Sequence, residues 1–221
     1  MISKVLFAGV TVLLFFYLLA EKIQLLVYPG FEPLLWCTAV ILGLFVVASF
    51  FIKSSKSISI WHIVLLLPIV VGFALPPVPL SSSTAEKRGV AVSLETPDQR
   101  PIFRFATNTD NLDILGWLRA LSLDYDASRY VDKKVKVQGF VSEGPTEDTF
   151  LIARFVVSCC VADARPLGLP VNILGAQPEK NTWLEITGTM KEMETTHGKS
   201  LVIAPEQVSP IPTPANPYVY Y

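Results

Sequence analysis

The sequence predicts a membrane-anchored α + β protein, with three N-terminal transmembrane helices followed by a small five-stranded OB-like β-barrel domain with one helix. Three observations carry this. Only six charged residues fall in positions 1–80 of a 221-residue chain that is 51% hydrophobic and 17% charged overall, while ordinary soluble proteins carry about 25% charged residues. The hydrophobic period shortens from three-to-four to two near Lys134. Gly139 then interrupts the first alternating run, as expected where a short strand bulges or coils sharply.

The membrane region is expected over 1–80, with spans near 4–26, 33–52 and 58–78. The first apolar run lies between Lys4 and Glu21. It is short against the ~20 residues a spanning helix needs, but Glu21 and Lys22 can snorkel while Ile23 to Tyr28 continue it. A cleaved signal peptide is the alternative. A single lysine before the run and Leu18-Leu19-Ala20 as a poor small-residue cleavage site favour a retained helix. The second and third runs are too long and too uniformly apolar for amphipathic soluble helices. Lys4, Lys53 and Lys56 on the cytoplasmic side satisfy the positive-inside rule, against Lys87 and Arg88 after the third span. The expected arrangement is therefore a multi-pass cell-membrane protein with its C-terminal domain on the extracytoplasmic side. His62, next to Trp61 near the start of the third span, reads as interfacial.

Pro76, Pro77 and Pro79 end the third helix, and a Ser-rich linker is expected over 81–100. The barrel domain follows over 101–210. Thr109 or Asp110 is positioned to cap a helix running to Leu121, with Leu112, Leu115, Leu118 and Leu121 on one face. Strands are expected at 134–141, 150–160, 169–174, 182–190 and 200–208. In the first, Val135, Val137 and Val141 face inward. In the fourth, Leu184, Ile186, Gly188 and Met190 face one way, with Trp183, Glu185 and Thr187 opposite. Residues 211–221 form a Pro/Tyr-rich tail. Five strands suit a small Greek-key barrel better than a sandwich.

Cysteine is scarce, with three residues in the chain. Cys37 in the second span reads as a small packing residue. Cys159 and Cys160 are adjacent at a strand end, with Asp163 three residues on, and three readings stand side by side. One thiol is in the core and one outside; or the two form a vicinal disulfide; or, with Asp163 and His197, they bind a soft ion such as zinc or copper. The spacing is not a C-x-x-C. Arg154 reads as a surface residue or a carboxylate partner. Lys133, Lys134 and Lys136 form a short basic run, but Glu143, Glu147 and Asp148 lie close by and residues 81–221 are net acidic. No nucleic-acid partner is expected. No nucleotide loop, nucleophile elbow, HExxH or paired-carboxylate spacing is present, so no enzyme is expected.

The chain resembles the YcgQ-like family of bacterial membrane proteins. The resemblance rests on Tyr130-Val-Asp-Lys133-Lys134-Val-Lys-Val-Gln-Gly139-Phe140-Val141, on Phe150-Leu-Ile-Ala-Arg154-Phe155, and on Cys159-Cys160-Val-Ala-Asp163-Ala. Trp183-Leu-Glu-Ile-Thr-Gly188, the ending Pro217-Tyr218, and Tyr28-Pro29 between the first two spans extend it over essentially the whole chain. One departure is Asp132, where the family reads Tyr-x-Gly-Lys before the first strand. The resemblance implies one subunit of a two-component permease, paired with a larger multi-spanning partner and linked to metal homeostasis. On this basis the expected function is a non-catalytic accessory subunit, embedded in the lipid bilayer. The alternative is a membrane-tethered metal- or thiol-sensing domain using Cys159 and Cys160.

Overall fold

The computed structural model describes residues 2–51, 60–92, 112–123, 127–195 and 198–220. The chain divides into two compact units, Met1–Pro79 with Cys159–Ala162, and Leu80–Ser158 with Asp163–Tyr221.

The first unit holds α1 (Ile2–Leu19), α2 (Glu32–Phe51) and α3 (Ile60–Ala74). Tyr17, Leu18, Ile23 and Ala39 form its small buried core, with Leu13, Phe15 and Trp36 packed around them. Edge-to-face contact joins Phe15 to Trp36 at 5.9 Å, and the Tyr17 hydroxyl donates to the Gly72 carbonyl. Thr11 and Thr38 donate their hydroxyls to the Phe7 and Leu34 carbonyls four residues back, and Ser49 to that of Val46. Each hydroxyl is thereby satisfied within its own helix, which an apolar surrounding requires.

Among the described residues, one helix, Pro29–Phe51, is long and apolar enough to cross a membrane. Its 23 residues rise about 35 Å at ~1.5 Å each, enough for a hydrocarbon core of ~30 Å. Near the N-terminus, such a helix has the composition of an anchor or a signal sequence. The expectation of three spans is corrected to this extent. The first does not run to residue 26, because Glu21 takes a left-handed conformation (φ 54°) and the chain turns into the 3-10 segment Lys22–Leu25. The third is described as 15 residues, ending at Ala74 before the proline cluster. Its expected start at 58 lies outside the described residues.

The second unit carries α4 (Ser82–Arg88), α5 (Ile114–Leu123), β1 (Lys134–Glu143), β2 (Thr149–Val157), β3 (Arg165–Asn172), β4 (Trp183–Thr195), β5 (Gly198–Pro210) and β6 (Tyr218–Tyr220). These strands form a six-stranded sheet in the order β1-β4-β5-β3-β2-β6, and β1 also pairs with β2. Five strands were expected. The sixth comes from the Pro/Tyr-rich tail and runs parallel to β2, with Phe155 opposite Tyr218.

The strand register follows the alternation of apolar side chains. Val135, Val137 and Val141 of β1 enter the core with Phe150, Ile152, Leu167, Leu169, Ile186, Met190 and Ile203. Trp117 and Leu118 of α5 are fully buried there too. Gly139 sits where β1 passes from β4 to β2, since Leu184 is its β4 partner and the next residue, Phe140, pairs with both Trp183 and Ala153. A Cβ at Gly139 would stand 2.5 Å from the Ala153 carbonyl oxygen, so the glycine permits close backbone approach. The register shift lies elsewhere, at Thr187/Gly188 between β4 and β5.

Three further expectations change. Thr109 and Asp110 lie outside the described residues, and α5 is capped by Asp113, whose carboxylate accepts the Gly116 N–H at 2.7 Å, an N-cap to N3 bond. The linker expected over 81–100 is helical at α4, where Ala85 is fully buried. The α4 backbone is held by Asn181, which accepts the Ser82 N–H at 2.9 Å. Finally, β2 ends at Val157 rather than running on to 160.

Candidate functional site

The two adjacent cysteines lie in the bend after β2, off the strand. Asp163 ends the short 3-10 segment Val161–Asp163, and its Oδ1 accepts the Ser158 N–H at 3.1 Å. That bond closes the turn, in the way short acidic side chains commonly replace a backbone partner. The bend also cancels the alternation expected of a strand. Instead of pointing to opposite faces, Cys159 Sγ and Cys160 Sγ are 3.6 Å apart. Neither cysteine is in a disulfide; Cys159 is exposed and Cys160 half-buried.

The backbone of this pair is bound on both sides. Cys159 accepts the Tyr28 N–H at 2.9 Å, and Val161 donates to the Leu26 carbonyl at 2.8 Å. Val27 and Cys160 therefore form an antiparallel bridge. The bonds flank the pair rather than joining it, the arrangement in which facing side chains come closest. Sequence reasoning missed Leu26, Val27 and Tyr28 as partners of the cysteines. The Tyr28-Pro29 pair was the signal in that region.

Asp163, expected in a turn after a strand that carries the cysteines, shares one turn with them because β2 ends at Val157. His197 lies outside the described residues. Among the described residues, no three His, Cys, Asp or Glu side chains gather as metal ligands. Cys37 is exposed on α2.

Arg154 is structural. Its Nη2 donates to the Asn216 carbonyl at 2.7 Å and its Nε to that of Pro217 at 3.3 Å. Burial pushes its pKa below the ordinary arginine value, and Asp113 and Tyr220 push it back up. Tyr218, in the strand those bonds position, accepts the Leu80 N–H at 3.2 Å. Burial raises its pKa, and that bond lowers it. Phe140 stacks on Phe155 at 5.5 Å and meets Trp183 at 6.0 Å. These rings are buried outside the main core, and Phe140 lies on the face of β1 shared with Lys134, Lys136 and Gln138, which the alternation suggests is polar. Of the basic run, Lys136 is paired with Glu185 at 3.2 Å.

Residues 2–91 match the model of the DUF1980 N-terminal domain, and residues 108–221 match that of the DUF1980 C-terminal domain. No curated protein and no solved structure matches the chain.

Proposed function

The chain belongs to the DUF1980 family through both of its halves, and from that premise we propose that it is a non-catalytic accessory subunit of a membrane permease. In this reading the three apolar helices are a multi-pass anchor that docks on a larger multi-spanning partner. In the same reading the β unit acts as an OB-like barrel on the extracytoplasmic side, and the pairing of β1 with both β4 and β2 supports this. The observation that carries the reading is the exterior of α2. Leu44, Phe45, Phe50 and Phe51 are 65–86% exposed, and an apolar surface of that extent needs lipid or another apolar helix against it. The permease role itself draws on the resemblance to YcgQ-like proteins. Affinity purification of the full chain from native membranes, with mass spectrometry of the eluate, tests it. Recovery of one large multi-spanning protein in near-stoichiometric amount is expected. Its absence under mild detergent contradicts the reading.

The spacing of the two thiols favours a second reading, a metal- or thiol-sensing element. Two thiolates on one tetrahedral zinc ion, each at ~2.3 Å, stand about 3.8 Å apart, close to the 3.6 Å between Cys159 and Cys160. Asp163 does not gather with the two thiols, so a partner's side chains would complete such a site for zinc or copper(I). Metal titration of the full chain against the Cys159→Ser, Cys160→Ser double variant decides it: equal affinity in the two proteins removes the metal.

A further inference from the structure

The geometry points to Cys159–Cys160 as a thiol–disulfide exchange site whose oxidation unlatches the segment between α1 and α2. The inference deepens the thiol-sensing reading and does not depend on the permease reading. It rests on two features found together. The thiols are already turned to the same side, 3.6 Å apart, with Cys159 exposed. The peptide unit between them is also the one that grips the helical connection, since the Cys159 carbonyl accepts the Tyr28 N–H.

The chemistry needs only a low-molecular-weight disulfide as oxidant. The exposed Cys159 thiolate attacks one sulfur of that disulfide and expels the other half as a thiolate. Cys160 then attacks the Cys159 sulfur of the mixed disulfide and expels the second half. The two cysteines lose two electrons, the small disulfide gains them, and the two thiol protons pass to the two released thiolates.

The product couples to structure through ring size. A disulfide between neighbours closes an eight-membered ring containing the Cys159–Cys160 peptide. The sulfurs must approach from 3.6 Å to ~2.05 Å, and the backbone inside the ring must twist to allow it. That twist re-aims the Cys159 carbonyl away from Tyr28 and displaces Val161, which donates to Leu26. Both bonds flanking Val27 and Cys160 are lost together, and residues 26–28 are released from the turn. Reduction restores them.

The test uses the full chain in bilayer nanodiscs, with oxidised and reduced glutathione as the redox couple. Intact mass and thiol alkylation count the cysteines oxidised, and amide hydrogen exchange reads Tyr28 and Val161. The expected result is loss of two alkylatable thiols and about tenfold faster exchange at both amides, the size of one lost hydrogen bond. Dithiothreitol should reverse both changes. The Cys159→Ser, Cys160→Ser variant should keep the slow exchange of the reduced protein and show no response. Two or more of the chain's three thiols, Cys37 included, remaining alkylatable in oxidised glutathione overturn the site. A disulfide that forms while Tyr28 exchange stays unchanged overturns the latch. Metal titration and partner recovery are separate readouts, so neither can fail in place of these.

Discussion

Arg154 lies over the Trp183 ring, its guanidinium carbon 5.6 Å from the ring centroid. The same guanidinium donates to the carbonyls of Asn216 and Pro217, immediately before β6. A side chain that the sequence reads as a surface residue or a carboxylate partner is thus a clamp that ties the C-terminal segment to β2. Arg154→Ala should destabilise the protein by about 2–3 kcal/mol, combining a lost cation–π contact with charged hydrogen bonds. Arg154→Lys should recover less than half of this, because an ammonium cannot serve both carbonyls while stacking on the ring. Thermal unfolding of the full chain in detergent measures both.

Asp132 has φ 63°, a left-handed conformation at the position where the resembled family reads glycine. Its amide donates to the Met190 carbonyl at 2.8 Å, and its carboxylate pairs with Lys191. Aspartate is among the few non-glycine residues that tolerate this region. Asp132→Gly should be neutral within ~0.5 kcal/mol, with relief of strain offsetting a weak exposed ion pair. Asp132→Val should cost about 1–2 kcal/mol. Chemical denaturation midpoints separate the two; equal losses for both variants would show that the ion pair, not the backbone, matters.

Val137 is 2% exposed and faces Ile186 across β1 and β4. Val137→Asp should bury an unpaired carboxylate and cost several kcal/mol, on the order of 3–5. Gly139→Ala, which meets backbone at 2.5 Å, should cost about 1–3 kcal/mol through overpacking. An unchanged unfolding midpoint for either would mean that β1 has a different register.

Lys180 joins α4 to the end of β1 through Glu86 at 3.0 Å and Glu143 at 2.9 Å. The Lys180 bond holds the Glu143 carboxyl below its ordinary 4.5, and the bonds to Glu143 and Glu86 hold Lys180 above its ordinary 10.5. The Glu143 contribution is present above its unfolded value and is lost as pH falls through the lowered folded one. The Lys180 contribution is present below its unfolded value and is lost as pH rises through the raised folded one. The difference in stability between the native chain and Lys180→Gln should therefore be flat between those limits and vanish outside them. Both groups are solvent-exposed, so ~1 M salt should also remove it. A difference that persists in strong acid would assign the effect to packing.

The core-facing residues of β1 and β4 were legible because a period of two leaves little choice of face when one side is buried. The turn around the cysteines was not. Val156-Val-Ser-Cys-Cys-Val161 reads as continuing strand, but Asp163 captures the Ser158 amide and the chain leaves the sheet. The partners of that turn, Leu26 and Tyr28, lie about 130 residues away, beyond any local pattern. α4 was hidden for a similar reason. Ser81 to Thr84 have linker composition, and residues that hold the helix they begin, such as Ala164, Lys180 and Asn181, lie far along the chain. β6 is three residues after Pro214-Ala-Asn-Pro217, too short to announce itself by period. Asp163 was legible as a turn residue, and its role is to shape the bend that turns both thiols to one side.

Docking through the apolar helices is tested most directly by a photo-crosslinking amino acid at Phe45, which is 67% exposed on α2. The variant is expressed in native membranes, illuminated, and analysed by mass spectrometry. An accessory subunit should give one dominant adduct with a large multi-spanning membrane protein, lost when the probe is moved to the buried Ala39. Adducts with lipid alone, or with no membrane component, would contradict it.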